Sequence, residues 1–277
     1  MAAAGLAITP IVSAPMRARV VSARGGARWI ARGGRLFIAA PFGWIGLVMT
    51  YWLLITVVSL VPAVGTAAAA ILVPAFSVGF MAAARSASLG ERLRVNLLFE
   101  GFRAHPRAEL ALGVLYLVLL CLILGASALV DGGGLARWLL TGVRPSAEQL
   151  ASSEFFGALL TAAALYLPVM MLYWFAPVLA AWRDVGAAKA LFFSFFACLM
   201  NWAAFLAYGL VVGALVFVLP LLLLSLALLV TKGQPDSLAS FLFPLLLVLL
   251  PVLFASFYAS YQDIFDTPDA GIAPLAS

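Results

Sequence analysis

The side chains with reactive chemistry are few in this 277-residue chain, and their spacing brings none of them together. The single histidine, His105, precedes Pro106 in a basic stretch with no cysteine, histidine or paired carboxylate at metal-ligand spacing, which marks a solvated loop residue. Glu91, Glu100 and Glu109 recur every nine residues. Nine residues advance a helix by about 900°, half a turn out of register, so successive members face opposite sides and are expected to partner nearby arginines. Cys121 and Cys198 sit in apolar runs without a Cys-x-x-Cys spacing, as small buried hydrophobes do. The pattern offers no catalytic, metal-binding or cofactor-binding residue. The expectation is a protein that is not an enzyme and takes no cofactor.

The remaining special residues point to architecture and to the bilayer. Asn201 falls where one apolar segment meets the next, and it is expected to bond a neighbouring helix or cap a span, a contact worth about 0.6 kcal/mol in membranes. Gly209 and Gly213 form a G-x-x-x-G spacing, read as packing within the chain ahead of contact between copies in a homo-oligomer. Pro74, Pro168, Pro177 and Pro251 lie inside apolar runs and predict helix kinks. Arg17, Arg19, Arg24, Arg28, Arg32 and Arg35 follow one another with no acid between them, interleaved with Trp29, Ile30, Leu36 and Phe37. That mixture predicts an interfacial helix that contacts anionic lipid headgroups. Two Arg-Gly-Gly triplets, at Arg24 and Arg32, are too few to favour nucleic-acid binding over this reading.

These residues need an apolar scaffold, and composition dictates its class. With 65% hydrophobic and 10% charged residues the chain is a polytopic transmembrane helical bundle, an all-α fold. Continuous apolar runs exclude the ten-residue alternation of a membrane β-barrel. Six spans are expected at about residues 42–61, 66–84, 110–130, 155–181, 202–230 and 240–261, with none of Asp, Glu, Lys, Arg or His inside them. That lack argues against proton-coupled transport and intramembrane metal chemistry. The segment 187–200 is expected to lie on the surface, because Met200-Asn201-Trp202 lacks the turn chemistry of a hairpin tip. Residues 131–154 form the largest loop, Gly-rich and expected to be flexible. The domain layout is an Arg-rich disordered tail over 1–26, a membrane domain over 27–265 and a C-terminal tail over 266–277. Thirteen of sixteen basic residues fall on one face if there are six spans, which predicts both termini in the cytoplasm.

GRLFIAAPFGWIGL from Gly34, FEGFRAHPRAELAL from Phe99 and FFACLMNWAAFLAY from Phe195 align as short helices meeting a span, each followed by a second span bearing Pro74, Pro177 or Pro251. This suggests a threefold parallel repeat. The stretches ARWIARGGRLFIAAPFGWI, KALFFSFFACLMNWAAFLAYGL and LLPVLFASFYASYQDIF resemble a family of proteobacterial polytopic inner-membrane proteins, and the likeness runs over about residues 27–265. The resemblance implies an inner-membrane location and about six helices, and it carries over no catalytic residue. A more distant likeness in hydropathy is to the membrane portions that accompany some bacterial glycerophosphodiester phosphodiesterases, whose soluble catalytic domain this chain lacks. The functional expectation is a non-catalytic structural, accessory or lipid-contacting bundle, with the lipid bilayer as its partner. The alternative is a carrier or channel for an uncharged or lipid-like solute.

Overall fold

The computed structural model describes residues 18–62, 64–230 and 237–265, with side chains described outside residues 224 and 226–244. A surface helix α1 (Ala23–Ala39) leads into spans α2 (Pro41–Ser59) and α3 (Gly65–Ser88). A 3₁₀ turn (Val95–Phe99) and the short α4 (Glu100–Ala104) then lead into span α5 (Pro106–Asp131). Beyond it lie α6 (Gly134–Thr141) and α7 (Ala147–Leu150), followed by α8 (Ser153–Tyr173) and α9 (Ala176–Arg183), which together make the fourth span. The surface helix α10 (Ala187–Met200) precedes α11 (Trp202–Gly213), which continues through a π-helical turn into α12 (Leu219–Val230). Span α13 (Ser237–Phe265) ends the described chain. Six helices among the described residues are long and apolar enough to cross a membrane, and α10, at 14 residues, is not.

The order surface helix, span, Pro-bearing span occurs three times. The three junctions are built alike: Ala40 (φ −151°, ψ 61°) and His105 (φ −142°, ψ 67°) share one backbone conformation ahead of a helix-starting proline, and Asn201 (φ −105°, ψ 23°) takes a related one. Proline suits the first helical position because its missing N–H has no partner there in any helix.

Each surface helix docks on the second span of the unit before it, in a cycle: α1 on α13, the 3₁₀ turn and α4 on α3, and α10 on α8 and α9. The contacts share a register. The residue seven positions before each junction, Gly33, Leu98 or Ser194, meets the second span. A Cβ at Gly33 would strike the Val252 carbonyl and lie 2.9 Å from the Ser256 nitrogen, and one at Gly79 would lie 2.6 Å from the Leu98 Cα. In the third unit Ser194 Oγ accepts from Phe175 N at 2.9 Å and donates to Met171 O at 2.8 Å. Pro74 and Pro251 are therefore equivalent, and their counterpart in the middle unit is Met170. Pro177, aligned with them by sequence, lies seven residues further on, so two helical turns separate it from the repeat position.

The prolines act differently from one another. Pro74, Pro168 and Pro251 lie inside continuous helices. Pro177 instead starts α9 after the helix opens at Trp174 and Phe175, and the Ser194 hydroxyl bridges the interrupted Met171 to Phe175 hydrogen bond. Inserting a hydroxyl into the ladder keeps both backbone groups paired where no water reaches.

Two segments also depart from expectation. The loop over residues 131–154 carries ordered helices, because Asp131 Oδ1 accepts from Gly133 N at 2.9 Å and its Oδ2 from Leu135 N at 2.6 Å, capping α6. Residues 19–26, assigned to the tail, are instead structured: Arg19 N donates to Ile264 O at 2.9 Å and α1 begins at Ala23, while residues 1–17 and the expected 266–277 tail lie outside the described residues.

Both Arg-Gly-Gly triplets belong to α1, and in each a single glycine abuts the backbone of another helix. Gly26 abuts the Ala204 backbone and Gly33 abuts α13, whereas Gly34 has nothing within 4 Å of its Cβ position. Gly33→Ala should destabilise the protein by ~1–3 kcal/mol through overpacking, and Gly34→Ala should stabilise it by ~0.4–1 kcal/mol through chain entropy and helix propensity. Thermal unfolding of the two variants in detergent measures the difference.

Candidate functional site

Two places combine unusual chemistry with a defined geometry, the Arg-bearing end of the bundle and a cavity at its centre. At the Arg-bearing end, α1 buries Gly26, Trp29, Gly33 and Leu36 and turns Arg24, Arg28 and Arg35 outward. The spacing explains the split, since residues three, four and seven apart share a helix face. Trp29 is fully buried among Phe205 and Tyr208, and its indole donates to Asp263 Oδ2 at 2.9 Å. Arg32 reaches the other Asp263 oxygen. Arg32 was expected to contact lipid headgroups with its neighbours, but it is half-buried and committed to this pair. Arg19 is exposed, and Arg17 lies outside the described residues.

Asn201 holds the segment ahead of α1. Its Oδ1 accepts from Val21 N at 2.6 Å, and its Nδ2 donates to Arg19 O at 3.0 Å and Ala197 O at 2.9 Å. The Asn201 side chain is 1% exposed, and its bond to Ala197 O is buried while those to Val21 N and Arg19 O are partly buried. An amide suits this position because it offers an acceptor and two donors without charge.

The same end carries a second cluster. Arg85 lies over the Trp182 ring at 5.6 Å, and the Trp182 indole donates to Glu100 Oε1 at 2.9 Å. Glu100 thus takes an indole where an arginine was expected. His105 Nε2 stands 3.3 Å from Asp184 Oδ1. Glu109 departs furthest from expectation: it is 3% exposed, within the first turn of α5, and neither carboxyl oxygen has a hydrogen-bond partner among the described residues. Burial follows from its place one turn before Leu112 and Gly113, which pack inward.

The cavity lies between α3, α5, α8, α9 and α13 and has a volume of about 200 Å³. Its walls are mostly apolar, with Pro74, Phe80, Met170, Pro177 and Phe254 among them, and no Asp, Glu, Lys, Arg or His lines it among the described residues. Ser77, Tyr173 and Phe254 all line it, and each sits three residues after the repeat position set by Pro74, Met170 and Pro251. The cavity thus lies where the three second spans converge. Tyr116 and Tyr166 close one side with hydroxyls 3.2 Å apart, and Tyr166 is 37% exposed toward the lipid-facing surface.

The G-x-x-x-G pair was assigned to packing within the chain, yet no described atom from another helix lies within 4 Å of a Cβ at Gly209 or Gly213. Close backbone approach occurs instead at Gly26, Gly33, Gly79, Gly101 and Gly113. Gly26 and Gly33, seven apart with Trp29 between them, were legible as one helix face. The Tyr116 and Tyr166 pair, 50 residues apart, was not. Cys121 is exposed and Cys198 buried, both as free thiols. No cluster of three metal-ligating side chains occurs among the described residues.

Replacing Asn201 with Leu should remove the bonds to Val21 N and Arg19 O, at ~1 kcal/mol for each lost hydrogen bond. The N-terminal segment should then loosen locally, and trypsin should cut after Arg24 roughly ten times faster than in the unaltered protein. Mass spectrometry of timed digests measures the rate.

The chain is 39% identical over 261 residues to a probable inner membrane protein of Burkholderia thailandensis, covering 92% of this chain and 96% of the relative. No family model matches the chain, and no solved structure matches it.

Proposed function

The chain belongs to the family of this proteobacterial inner membrane protein and is itself a multi-pass inner-membrane protein; we propose that it is a non-catalytic bundle whose Arg-bearing end binds anionic lipid headgroups. The observation that carries this reading is the fixed presentation of Arg24, Arg28 and Arg35. They share the outward face of a helix whose opposite face is pinned by Gly26, Trp29 and Gly33. A rigid row of guanidinium groups beside the ends of spans matches the height of lipid phosphates, and each is worth ~1 kcal/mol near an anionic surface. Arg92, Arg94, Arg103 and Arg107, also exposed, lie at the same end and extend the basic surface. Neither a homo-oligomer nor nucleic acid is needed for this role.

The orientation we propose places the N-terminal segment, α4 and α10 on the cytoplasmic side. Thirteen of sixteen basic residues then face the cytoplasm, as the positive-inside rule requires. With six spans the C-terminus returns to the same side. A reporter active only in the cytoplasm, fused after Ser277, should give signal, and one active only in the periplasm should give none. The reverse result overturns the orientation.

Lipid selectivity tests the function directly. With the protein reconstituted in phosphatidylcholine, spin-labelled phosphatidylglycerol should show a larger motionally restricted fraction than spin-labelled phosphatidylcholine. Arg24→Gln, Arg28→Gln and Arg35→Gln together should bring the two fractions toward equality. Equal fractions for the unaltered protein would refute headgroup binding.

A further inference from the structure

We propose that the central cavity is a binding site for an uncharged, chain-bearing lipid that offers an acceptor oxygen at its polar end, which enters from the bilayer past Tyr116 and Tyr166. The inference goes beyond the headgroup reading and does not rest on it. It follows from a count of hydrogen-bond donors. Ser77 donates to Pro74 O at 2.6 Å, Tyr173 to Leu112 O at 2.7 Å, and the Trp174 indole to Ser260 Oγ at 3.1 Å, so these lining groups are satisfied within the protein. Among the described residues Tyr116 and Tyr166 bond only each other, at 3.2 Å, with either as donor. Two hydroxyls that share one hydrogen bond use one of their two protons, which leaves one O–H without an acceptor among the described residues.

The place of that spare donor matters. Tyr116 is ten residues beyond Pro106 in α5, a rise of about 15 Å, half the thickness of the hydrocarbon core. No bulk water is present at that depth to accept the bond, and an unmet polar group there is costly. A lipid oxygen is the acceptor the surroundings can supply. The ligand must also be uncharged, since no Asp, Glu, Lys, Arg or His lines the cavity to balance a phosphate or ammonium group, whose burial costs several kcal/mol or more. Phe80, Met170, Phe254 and Phe257 form apolar walls suited to part of an alkyl chain. At about 200 Å³ the cavity exceeds the ~150 Å³ apolar cavity that accepts benzene, so it takes the polar end and the first segment of a chain while the remainder stays in the bilayer.

Two probes with the same diazirine-bearing acyl chain test this in the full-length protein in nanodiscs: a monoacylglycerol, uncharged, and a phosphatidylglycerol, anionic. Photolabelling by the monoacylglycerol should fall within residues 169–178, saturate, and be competed by unlabelled monoacylglycerol. Labelling by phosphatidylglycerol should stay on lipid-facing positions such as Leu122 and Leu160. Tyr116→Phe combined with Tyr166→Phe keeps the ring shapes and should cut the saturable labelling about fivefold, the factor carried by one hydrogen bond of ~1 kcal/mol. Val169→Trp, which fills the cavity, should abolish it. Equal cavity labelling by both probes, absence of label in residues 169–178, or no loss in the double Phe variant would each overturn the proposal. If Val169→Trp does not fold, the double Phe variant still decides. Spin-label selectivity reports separately on the Arg face, so either reading can fail while the other stands.

Discussion

The arrangement depends on close backbone contact between each surface helix and a Pro-bearing span. In hydrocarbon there is no hydrophobic drive between helices, so association relies on dispersion, interhelical hydrogen bonds and small residues that let backbones approach. Three chemical solutions occupy the same register. Gly33 has no side chain to keep α1 from α13, Gly79 and Gly101 let α3 meet the second surface segment, and Ser194 reaches into an opened span to bond it. Removing any one would separate a surface helix from its seat, and because the seats run in a cycle, each unit is held by its neighbour.

The junctions follow from that docking. A surface helix lying across the bundle must turn sharply to become a span, and Ala40 and His105 do so with non-helical φ and ψ ahead of a proline. Asn201 makes the third turn without one, and its side chain is used to hold residues 19–21. The N-terminal segment is thereby tied to α10 and, through Arg19 and Ile264, to the end of α13. Asp263 adds Trp29 and Arg32 to the same closure. The first and third units are therefore joined by polar bonds, at the Arg-bearing end of the bundle.

Charge is distributed with equal economy. The charged groups gather at the ends of the spans, so the centre is left to hydroxyls, indoles and thioethers; the Ser77 hydroxyl is spent on its own helix, and the Tyr173 hydroxyl and Trp174 indole on neighbouring ones. Glu109 is the exception among the described residues, a carboxyl buried at the start of α5 without a partner. A carboxyl in that setting carries an energetic cost that its packing neighbours, Leu112 and Gly113, do nothing to relieve.

The sequence by itself determined the class of solvent and the order of surface helix and span, and led to the expectation of six spans. Each of these is a local property: apolar run length against bilayer thickness, turn chemistry at Asn201, and proline at a helix start. The Arg face of α1 was legible for the same reason, since helical periodicity places Arg24, Arg28 and Arg35 together. What only the tertiary structure decided is which of many similar residues does what. Gly33 is pressed against α13 while Gly34 and Gly209 are free, and Arg32 is paired while Arg28 is exposed. The repeat register had to be moved from Pro177 to Met170, and Glu109 was buried in place of meeting an arginine. In a chain dominated by Ala, Leu and Phe, local pattern assigns a residue to a helix face. Identity of the partner depends on which distant face arrives there, and that is set by helix docking across 50 to more than 200 residues.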